Sequence, residues 1–341
     1  SATPMVSALA APTGVGATAG NGSVDLSWGA VSGATGYRVY QGTTSGGPYA
    51  LVASPTATGH SSTGLTNGTT YYFVVRAFNA TLESVNSQQV SATPAAALPN
   101  PDPALPVAGR FLILDAQAAA QQFANGAAVT SWADISGNAR HAAASGSATP
   151  SLITNAISGK PALRFDGVDD HFTLPSGFQD FTAGMSLYVV MRPSGLTYGF
   201  KIVALGNGAG QQNIGLGRAG DTAGFQFFNT DAGGAYSWFN TPGGLAVGEA
   251  SLISVLQDGG SVGNLSYAEV TKNGVVLLGQ NVFVPPIATR SLNYIAKTYW
   301  NEGMFQGDIA EVILYNRKLS ASEHAGVKAY IASKYGLSVT P

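Results

Sequence analysis

A turn leads into a β-strand in Leu65-Thr-Asn-Gly-Thr-Thr-Tyr-Tyr-Phe-Val-Val-Arg-Ala77, and this stretch decides the fold of the first part of the chain. From residue 71 onward, every second residue is apolar and shares one face, because strand side chains alternate between the two faces of a sheet. These residues are Tyr71, Phe73, Val75 and Ala77. Val24–Trp28 and Gly36–Tyr40 alternate in the same way, which predicts further half-buried strands.

Residues 11–94 resemble a fibronectin type III domain. Trp28 matches the core tryptophan of its second strand, and Gly36-Tyr-x-Val-Tyr40 matches its third strand. Leu65-x-x-Gly-Thr-x-Tyr71 matches the turn into its sixth strand, where the resemblance implies that the tyrosine hydroxyl forms the corner hydrogen bond. We favour a spacer role for this module over a binding face, and the sequence contains no Arg-Gly-Asp tripeptide.

Two segments flank this module. Residues 95–109 are a predicted linker, which Pro99, Pro101, Pro103 and Pro106 make extended and semi-rigid. Residues 1–10 are a predicted N-terminal tail or linker. Ser1-Ala-Thr-Pro4 repeats Ser91-Ala-Thr-Pro94, so one hypothesis is that it ends a preceding fibronectin-like repeat; a chance match or a signal-cleavage site is the alternative.

Residues 110–338 resemble the laminin-G-like branch of the bacterial concanavalin A-like jelly rolls. The resemblance rests on four stretches: Leu112–Asp115 with Val129–Asn138, Gly159–Asp170, Gly307–Arg317, and Ser320–Leu337. It implies an all-β jelly roll that ends in a short helix. The whole chain is therefore predicted to be all-β, with two modules.

The closing helix is also predicted by its own residues. Ser320-x-x-Glu323 is a capping box, and Gly336 is placed as a helix C-cap glycine. Apolar residues recur at helical spacing between them, at Val327, Tyr330, Ile331 and Tyr335. We expect His324, in the first turns, to be a surface side chain. Lys272-Asn-Gly274 predicts a tight hairpin.

Composition excludes several classes of protein. The chain has 16 basic and 18 acidic residues and a formal net charge of −2, which offers no electrostatic footprint for nucleic acid or anionic lipid. Cysteine is absent, which removes disulfides, thiolate zinc sites and cysteine nucleophiles. No apolar stretch approaches the ~20 residues of a membrane span.

No constellation in the sequence indicates catalysis. Glucanases of the jelly-roll fold carry Glu-x-Asp-x-x-Glu, as the resemblance implies, and this motif is absent. Strand alternation is expected to place Asp308 and Glu311 on opposite faces. Gly259-Gly-Ser-Val-Gly263 fits the hydrolase elbow string, but it is predicted to be a hairpin loop. We expect that the protein is not an enzyme. The alternative is a glycoside hydrolase or lyase with an unrecognised active site.

Calcium is the metal that the sequence favours, because its preferred ligands are loop oxygens. Asp134 and Asn138 space such oxygens at alternate positions with Ser136, and turn hydrogen bonds are the alternative explanation. A second loop crowds three carboxylates, at Asp166, Asp169 and Asp170. The resemblance adds Asp308 as an outlying candidate, since related jelly rolls tie the last strand to the N-terminus through an ion.

Aromatic residues are the candidate ligand contacts, since sugar rings stack on aromatic faces. Tyr236 and Trp238 alternate and so share a face, although Trp238 could equally fill the sandwich. The predicted loop Tyr299-Trp-Asn-Glu302 places Trp300 beside the polar Asn301 and Glu302. Gln211–Asn213 is a weaker polar candidate, and Trp132 is predicted to be core.

Three functional hypotheses follow. The first is a secreted, non-catalytic carbohydrate-binding module of a larger polysaccharide-active protein, with a glycan as its ligand. The second is a cell-surface adhesion or filament protein that binds another protein or itself, which low charge and exposed strand edges would suit. The third is the unrecognised enzyme. Each implies a secreted or cell-surface location.

Overall fold

The computed structural model describes residues 8–20, 22–94 and 105–340. The chain divides into two compact units, within residues 1–97 and 98–341. The Ser1–Pro4 repeat and prolines 99, 101 and 103 of the predicted linker lie outside the described residues. No helix of the described ranges is long and apolar enough to cross a membrane.

The first unit is an antiparallel sandwich of two sheets. Its strands are β1 (Gly16–Gly20), β2 (Ser23–Ser27), β3 (Gly36–Gly42), β4 (Ala50–Ala53), β5 (Gly59–Thr63), β6 (Tyr71–Phe78) and β7 (Val90–Ala92). One sheet has the order β1-β2-β5 and the other β4-β3-β6-β7. The strands predicted from the alternating sequence are confirmed.

Alternate residues of β2, β3 and β6 fill the space between these sheets. Trp28 is buried in this core and meets Tyr37 edge-on, with ring centroids 5.4 Å apart. The Tyr71 hydroxyl accepts a hydrogen bond from the Thr66 backbone N–H at 3.1 Å. The corner hydrogen bond that the resemblance implied is therefore present.

The second unit consists of two large antiparallel sheets and two helices. Its elements are β8 (Leu112–Asp115), α1 (Ala116–Ala119), β9 (Ser131–Trp132), β10 (Ala142–Ala143), β11 (Ser151–Ile157), β12 (Lys160–Asp166), β13 (Phe172–Leu174), β14 (Met185–Pro193), β15 (Lys201–Gly206), β16 (Ile214–Arg218), β17 (Gly224–Thr230), β18 (Tyr236–Gly244), β19 (Ser251–Gln257), β20 (Leu265–Lys272), β21 (Val275–Phe283), β22 (Leu292–Ile295), β23 (Gln306–Tyr315) and α2 (Ala321–Tyr335). The all-β class with a short C-terminal helix is confirmed.

We call the two sheets the front and back sheets. The front sheet has the order β18-β17-β16-β15-β22-β13-β10-β9. The back sheet has the order β11-β12-β23-β14-β19-β20-β21, and β8 pairs with β23. The main apolar core lies between the inner faces of these sheets and includes Trp132, which is fully buried as predicted.

Helix α2 covers the outer face of the back sheet with a second apolar layer. Its capping box at Ser320 and Glu323 is formed, and Gly336 ends it with a left-handed φ of 62°. The four predicted apolar residues of α2 are buried. Leu105 and Val107 join the same layer at 2% and 4% exposure, so these residues of the predicted linker pack onto this unit.

His324 is not the surface side chain that the sequence suggested. Its ring is half-buried, and its Nδ1 lies 2.7 Å from the Tyr188 hydroxyl. Burial lowers the pKa of His324 to about 4, and the nearby Lys328 and Lys318 charges act in the same direction. The error arose because β14 brings Tyr188 under the helix, which no local pattern reveals.

Two predicted turns are found where the sequence placed them. Asn273 and Gly274 join β20 and β21 with φ values of 49° and 81°, which suits a two-residue hairpin turn. Gly259–Gly263 lies in the loop between β19 and β20, so it lacks the strand-turn-helix setting of a hydrolase elbow.

A β-bulge in β23 overturns the prediction for Asp308 and Glu311. Glu311 pairs with Val190 of β14, and Ile309 pairs with the next residue, Met191, which leaves Ala310 as the extra residue. Ile309 and Met191 face the main core, whereas Ala310 and Val190 face α2. Asp308 and Glu311 consequently both project from the outer face of the back sheet.

Candidate functional site

A pocket of about 410 Å³ opens on the outer face of the front sheet. It is lined by Lys201, Gln226, Phe228, Tyr236, Trp238, Trp300 and Glu302. Tyr236, Trp238, Trp300 and Glu302 were predicted from the sequence, and the fold brings them together. Lys201, Gln226 and Phe228 were missed, and they come from β15 and β17.

Strand register explains why these residues share a site. Trp238 pairs directly with Phe228, which pairs with Gly215, and Gly215 pairs with Ala204. Directly paired residues lie on the same face of a sheet. A Cβ atom at Gly215 would lie 2.1 Å from the Phe228 ring, so this ring rests on the glycine backbone.

Four aromatic side chains form the wall of the pocket. Trp300 meets Phe228 and Tyr236 with ring centroids 5.6 and 6.3 Å apart. Trp238 and Tyr236 remain 55% and 44% exposed. The alternative that Trp238 fills the sandwich is therefore wrong, because the ring lies on the outer face and in contact with solvent.

An ion pair forms the polar part of the pocket. Lys201 is only 1% exposed, and its Nζ donates to Glu302 Oε2 at 2.8 Å and to the Gly199 carbonyl at 2.5 Å. Thr298 Oγ1 donates to the same Glu302 oxygen at 2.9 Å. Burial lowers the pKa of the Lys201 ammonium, and the Glu302 carboxylate opposes that shift. The pair fixes the base of the loop that carries Trp300.

Tyr299 and Asn301 do not line the pocket. The Tyr299 hydroxyl donates to the Leu292 carbonyl at 2.7 Å, and its ring meets Trp300 at 5.6 Å. Burial raises the pKa of Tyr299, which fits a side chain that supports the loop from behind. Asn301 is exposed at the loop tip.

The polar candidate loop at residues 211–213 is mainly structural. Gln212 Oε1 accepts from Asn207 Nδ2 at 2.6 Å, and its carbonyl accepts from Arg290. Asn213 is fully buried, and its Nδ2 donates to the Gly208 carbonyl at 2.9 Å. Gln211 is exposed. These contacts hold the loop in place, with Gln211 exposed and Gln212 partly exposed.

The three crowded carboxylates lie together at the end of β12 and in the turn that follows it. Asp166, Asp169 and Asp170 each offer an oxygen, and these oxygens lie within 4.8 Å of one another. Burial raises the pKa of Asp170 to about 6, an Asp166 hydrogen bond opposes this, and the two neighbouring carboxylates raise it further. Oxygens in this arrangement fit calcium, and calcium binding here stays a prediction.

Asp134 and Asn138 make turn hydrogen bonds, which was the alternative to a calcium site at this loop. Asp134 accepts bonds from the backbone N–H groups of Ile113, Ser136 and Arg140 at 2.9 to 3.0 Å. Asn138 Nδ2 donates to the carbonyls of Arg110 and Phe111. These residues lie outside the group of three carboxylates.

Asp308 is also separate from that group. Arg164 Nε lies 2.8 Å from Asp308 Oδ1, and an Arg192 guanidinium nitrogen lies 2.6 Å from Oδ2. Two guanidinium groups therefore neutralise this nearly buried carboxylate, and they satisfy it without a metal ion.

The fold and the pocket define a two-domain all-β protein whose jelly roll presents an aromatic surface pocket. It contains a fibronectin type III domain, whose family model matches residues 10–93. The second domain belongs to the concanavalin A-like lectin/glucanases superfamily, whose laminin-G-like model matches residues 166–323. The resemblances seen in the sequence are confirmed.

Among curated proteins, the chain is similar to an amylopullulanase of Thermoanaerobacterium saccharolyticum, with 46% identity over 67 residues. It is also similar to a poly(3-hydroxybutyrate) depolymerase of Ralstonia pickettii, with 45% identity over 85 residues. These matches cover 19% and 24% of this chain, but only 5% and 16% of the relatives.

Two solved structures are also similar. Domain 4 of AbnA, an extracellular arabinanase of Geobacillus stearothermophilus in complex with arabinotriose, has 19% identity and a TM-score of 0.37. It covers 53% of this chain and 81% of its own. An Fn3-like protein of Clostridium thermocellum has 39% identity and a TM-score of 0.24, over 25% of this chain and 92% of its own.

Proposed function

We propose that this chain is a non-catalytic carbohydrate-binding part of a larger secreted, polysaccharide-active protein. The jelly-roll domain holds the glycan in the pocket, and the fibronectin type III domain acts as a spacer. The observation that carries the proposal is the aromatic wall of the pocket, where Tyr236 and Trp238 are exposed and Trp300 is half-buried, beside the polar groups of Lys201 and Glu302.

The chemistry of the pocket suits a sugar. A sugar ring has an apolar face and a polar edge, and a binding site meets them with aromatic rings and a few placed polar groups. Trp238 offers an exposed ring, and Glu302 and Gln226 offer polar atoms beside it. The similarity to amylopullulanases supports a parent protein that acts on polysaccharides.

A binding assay tests the proposal. Titration of the full chain with a panel of oligosaccharides should give measurable heat for at least one of them. Trp238→Ala should weaken that binding roughly tenfold, which corresponds to about 1.4 kcal/mol. Tyr267→Ala is the matched control, because Tyr267 is 40% exposed but lies on β20 of the back sheet. Equal binding by Trp238→Ala, or reducing-sugar release from a polysaccharide, would count against the proposal.

Self-association is the second candidate, and strand β21 favours it. This strand ends the back sheet, carries no charged residue, and exposes Val275 and Val276 at 55% and 51%. Uncharged apolar edge strands are surfaces on which a second strand can pair. Sedimentation of the chain should then show dimers that Val276→Lys abolishes and Val85→Lys, a substitution on the first unit, does not.

A further inference from the structure

The ion pair in the pocket leaves one N–H donor of Lys201 unused. An ammonium group has three protons. Lys201 uses two of them, on Glu302 and on the Gly199 carbonyl, and the third has no acceptor among the described residues. The ammonium also lies 5.9 Å from the ring centroids of Phe228 and Trp300, which line the pocket with it. Since Lys201 is otherwise buried, an oxygen acceptor for this proton can come only from a molecule within the pocket.

Glu302 has an unused hydrogen-bond acceptor. Its Oε2 accepts from Lys201 and Thr298, whereas its Oε1 accepts no hydrogen bond from the described residues. The Glu302 side chain is 23% exposed. The Gln226 amide also lines the pocket without a hydrogen bond to the described residues. The pocket therefore offers a donor next to an acceptor, with a further amide nearby.

Two hydroxyl groups on adjacent carbons match this arrangement. Each hydroxyl both donates and accepts, so one accepts from Lys201 while its neighbour donates to Glu302. Charge-assisted hydrogen bonds of this kind are stronger than neutral ones. A ligand that lacks one hydroxyl leaves a desolvated charge without its partner, which weakens binding markedly.

The charges in the pocket cancel. Lys201 and Glu302 are the only charged residues among those that line it, so the lining is neutral as a whole. A carboxylate that accepts from Lys201 would also lie beside Glu302, and an amine that donates to Glu302 would also lie beside Lys201, because the two groups are 2.8 Å apart. Like charges at such distances repel, and a partly desolvated site strengthens the repulsion.

We infer that the pocket selects an uncharged sugar, whose vicinal diol bonds to Lys201 and Glu302 while its apolar face lies on Trp238. This inference rests on the proposed carbohydrate-binding function. It names the class of glycan: neutral hexose or pentose polymers, as opposed to polyuronates and to polymers of free amino sugars.

Calorimetric titration of the full chain at one fixed ionic strength tests the inference. The neutral probes are maltotriose, cellotriose and arabinotriose; the charged probes are trigalacturonate and the glucosamine trimer. At least one neutral probe should bind ten times more tightly than either charged probe. Tighter or equal binding of a charged probe that Trp238→Ala abolishes would overturn the inference and leave the proposed function standing. Binding of no probe at all would overturn both.

Glu302→Gln provides the decisive variant, because it keeps the shape of the side chain and removes its charge. We expect it to weaken binding of the neutral probe about fivefold. Binding of trigalacturonate should become tighter, since Lys201 then lacks a counter-charge. If the ratio of the affinities for the neutral probe and for trigalacturonate stays unchanged, the role assigned to Glu302 is contradicted. Lys272→Gln is the control for a lost charge outside the pocket. Glu302→Gln should lower the melting temperature because it removes the counter-charge of the buried Lys201, so a cooperative transition well above the titration temperature shows that each variant is folded.

Discussion

Lys334→Met should strongly destabilise the second unit, because Lys334 neutralises two buried carboxylates. Its Nζ donates to Asp115 Oδ2 at 2.8 Å, to Glu311 Oε2 at 3.1 Å and to the Tyr330 hydroxyl at 2.7 Å. Asp115 and Glu311 are 5% and 1% exposed, and they are directly paired across β8 and β23. Methionine fills a similar volume but leaves both carboxylates without a counter-charge.

The size of the effect follows from the burial of the cluster. Removal of one partner from a buried ion pair costs about 3–5 kcal/mol. A domain of this size loses ~2–4 °C of melting temperature per kcal/mol, so the expected fall is about 6–20 °C. Lys318→Met is the matched control, since its pair with Asp258 is 37% and 45% exposed and contributes at most about 1 kcal/mol.

The deficit should also depend on pH. Burial raises the pKa of Glu311 to about 7, the Asp115 charge raises it further, and Lys334 opposes this. Without Lys334 the pKa rises above that value. A carboxyl group whose pKa is higher in the folded state binds its proton on folding, so its contribution to stability is greatest at low pH and is lost as pH rises. The deficit relative to the unsubstituted chain should therefore shrink as pH falls from about 9 towards 7, by up to ~1.4 kcal/mol per pH unit, and change little below pH 7, where Glu311 is protonated in both chains.

Scanning calorimetry at pH 6, 7, 8 and 9 measures both effects on the full chain and resolves the transition of the second unit. A loss below 1 kcal/mol at pH 7 would show that the cluster is hydrated or relaxes, and it would refute the reasoning. A large deficit that stays constant between pH 9 and pH 7 would refute the charge argument alone and would point to lost packing around Tyr330.

Three further predictions concern other parts of the chain. Calcium should raise the melting temperature and Asp170→Asn should remove that rise; an unchanged melting temperature with excess EDTA would exclude a structural ion. Tyr71→Phe should cost the first unit about 1–2 kcal/mol in urea unfolding, because a turn N–H loses its acceptor. Gly215→Ala should push the Phe228 ring into the pocket and weaken glycan binding, whereas Gly243→Ala, with open space around it, should not.

The sequence predicted the parts of the fold that local patterns determine. Alternation along β6 and helical spacing along α2 correctly identified their buried faces. The choice of Trp300 and Glu302 as ligand contacts also rested on a local signal, an aromatic residue within a polar loop. Both residues line the pocket, and their contact with a ligand stays a prediction. In each case, neighbours in the chain supply the evidence.

The residues that were missed depend on pairing between distant strands. Phe228 lies within Gly224–Thr230, where apolar residues on both faces hide the outward one. Lys201 precedes the apolar run of β15, and nothing local shows that it turns inward towards Glu302. The faces of Asp308 and Glu311 were wrongly predicted for a similar reason, because a bulge is visible only against its partner strand.

Lys201 and Lys334 show that burial of a charge does not by itself identify a binding site. Both are nearly inaccessible to solvent and both bond to a glutamate. Lys334 places its three protons on acceptors of its own domain, so its role is to stabilise the fold. Lys201 places two, and its third has no oxygen acceptor among the described residues although the side chain lines the pocket. A buried charge therefore indicates a binding site when one of its hydrogen-bonding positions is unused and faces a cavity. Lys201 meets this criterion in the pocket that also contains the exposed Trp238.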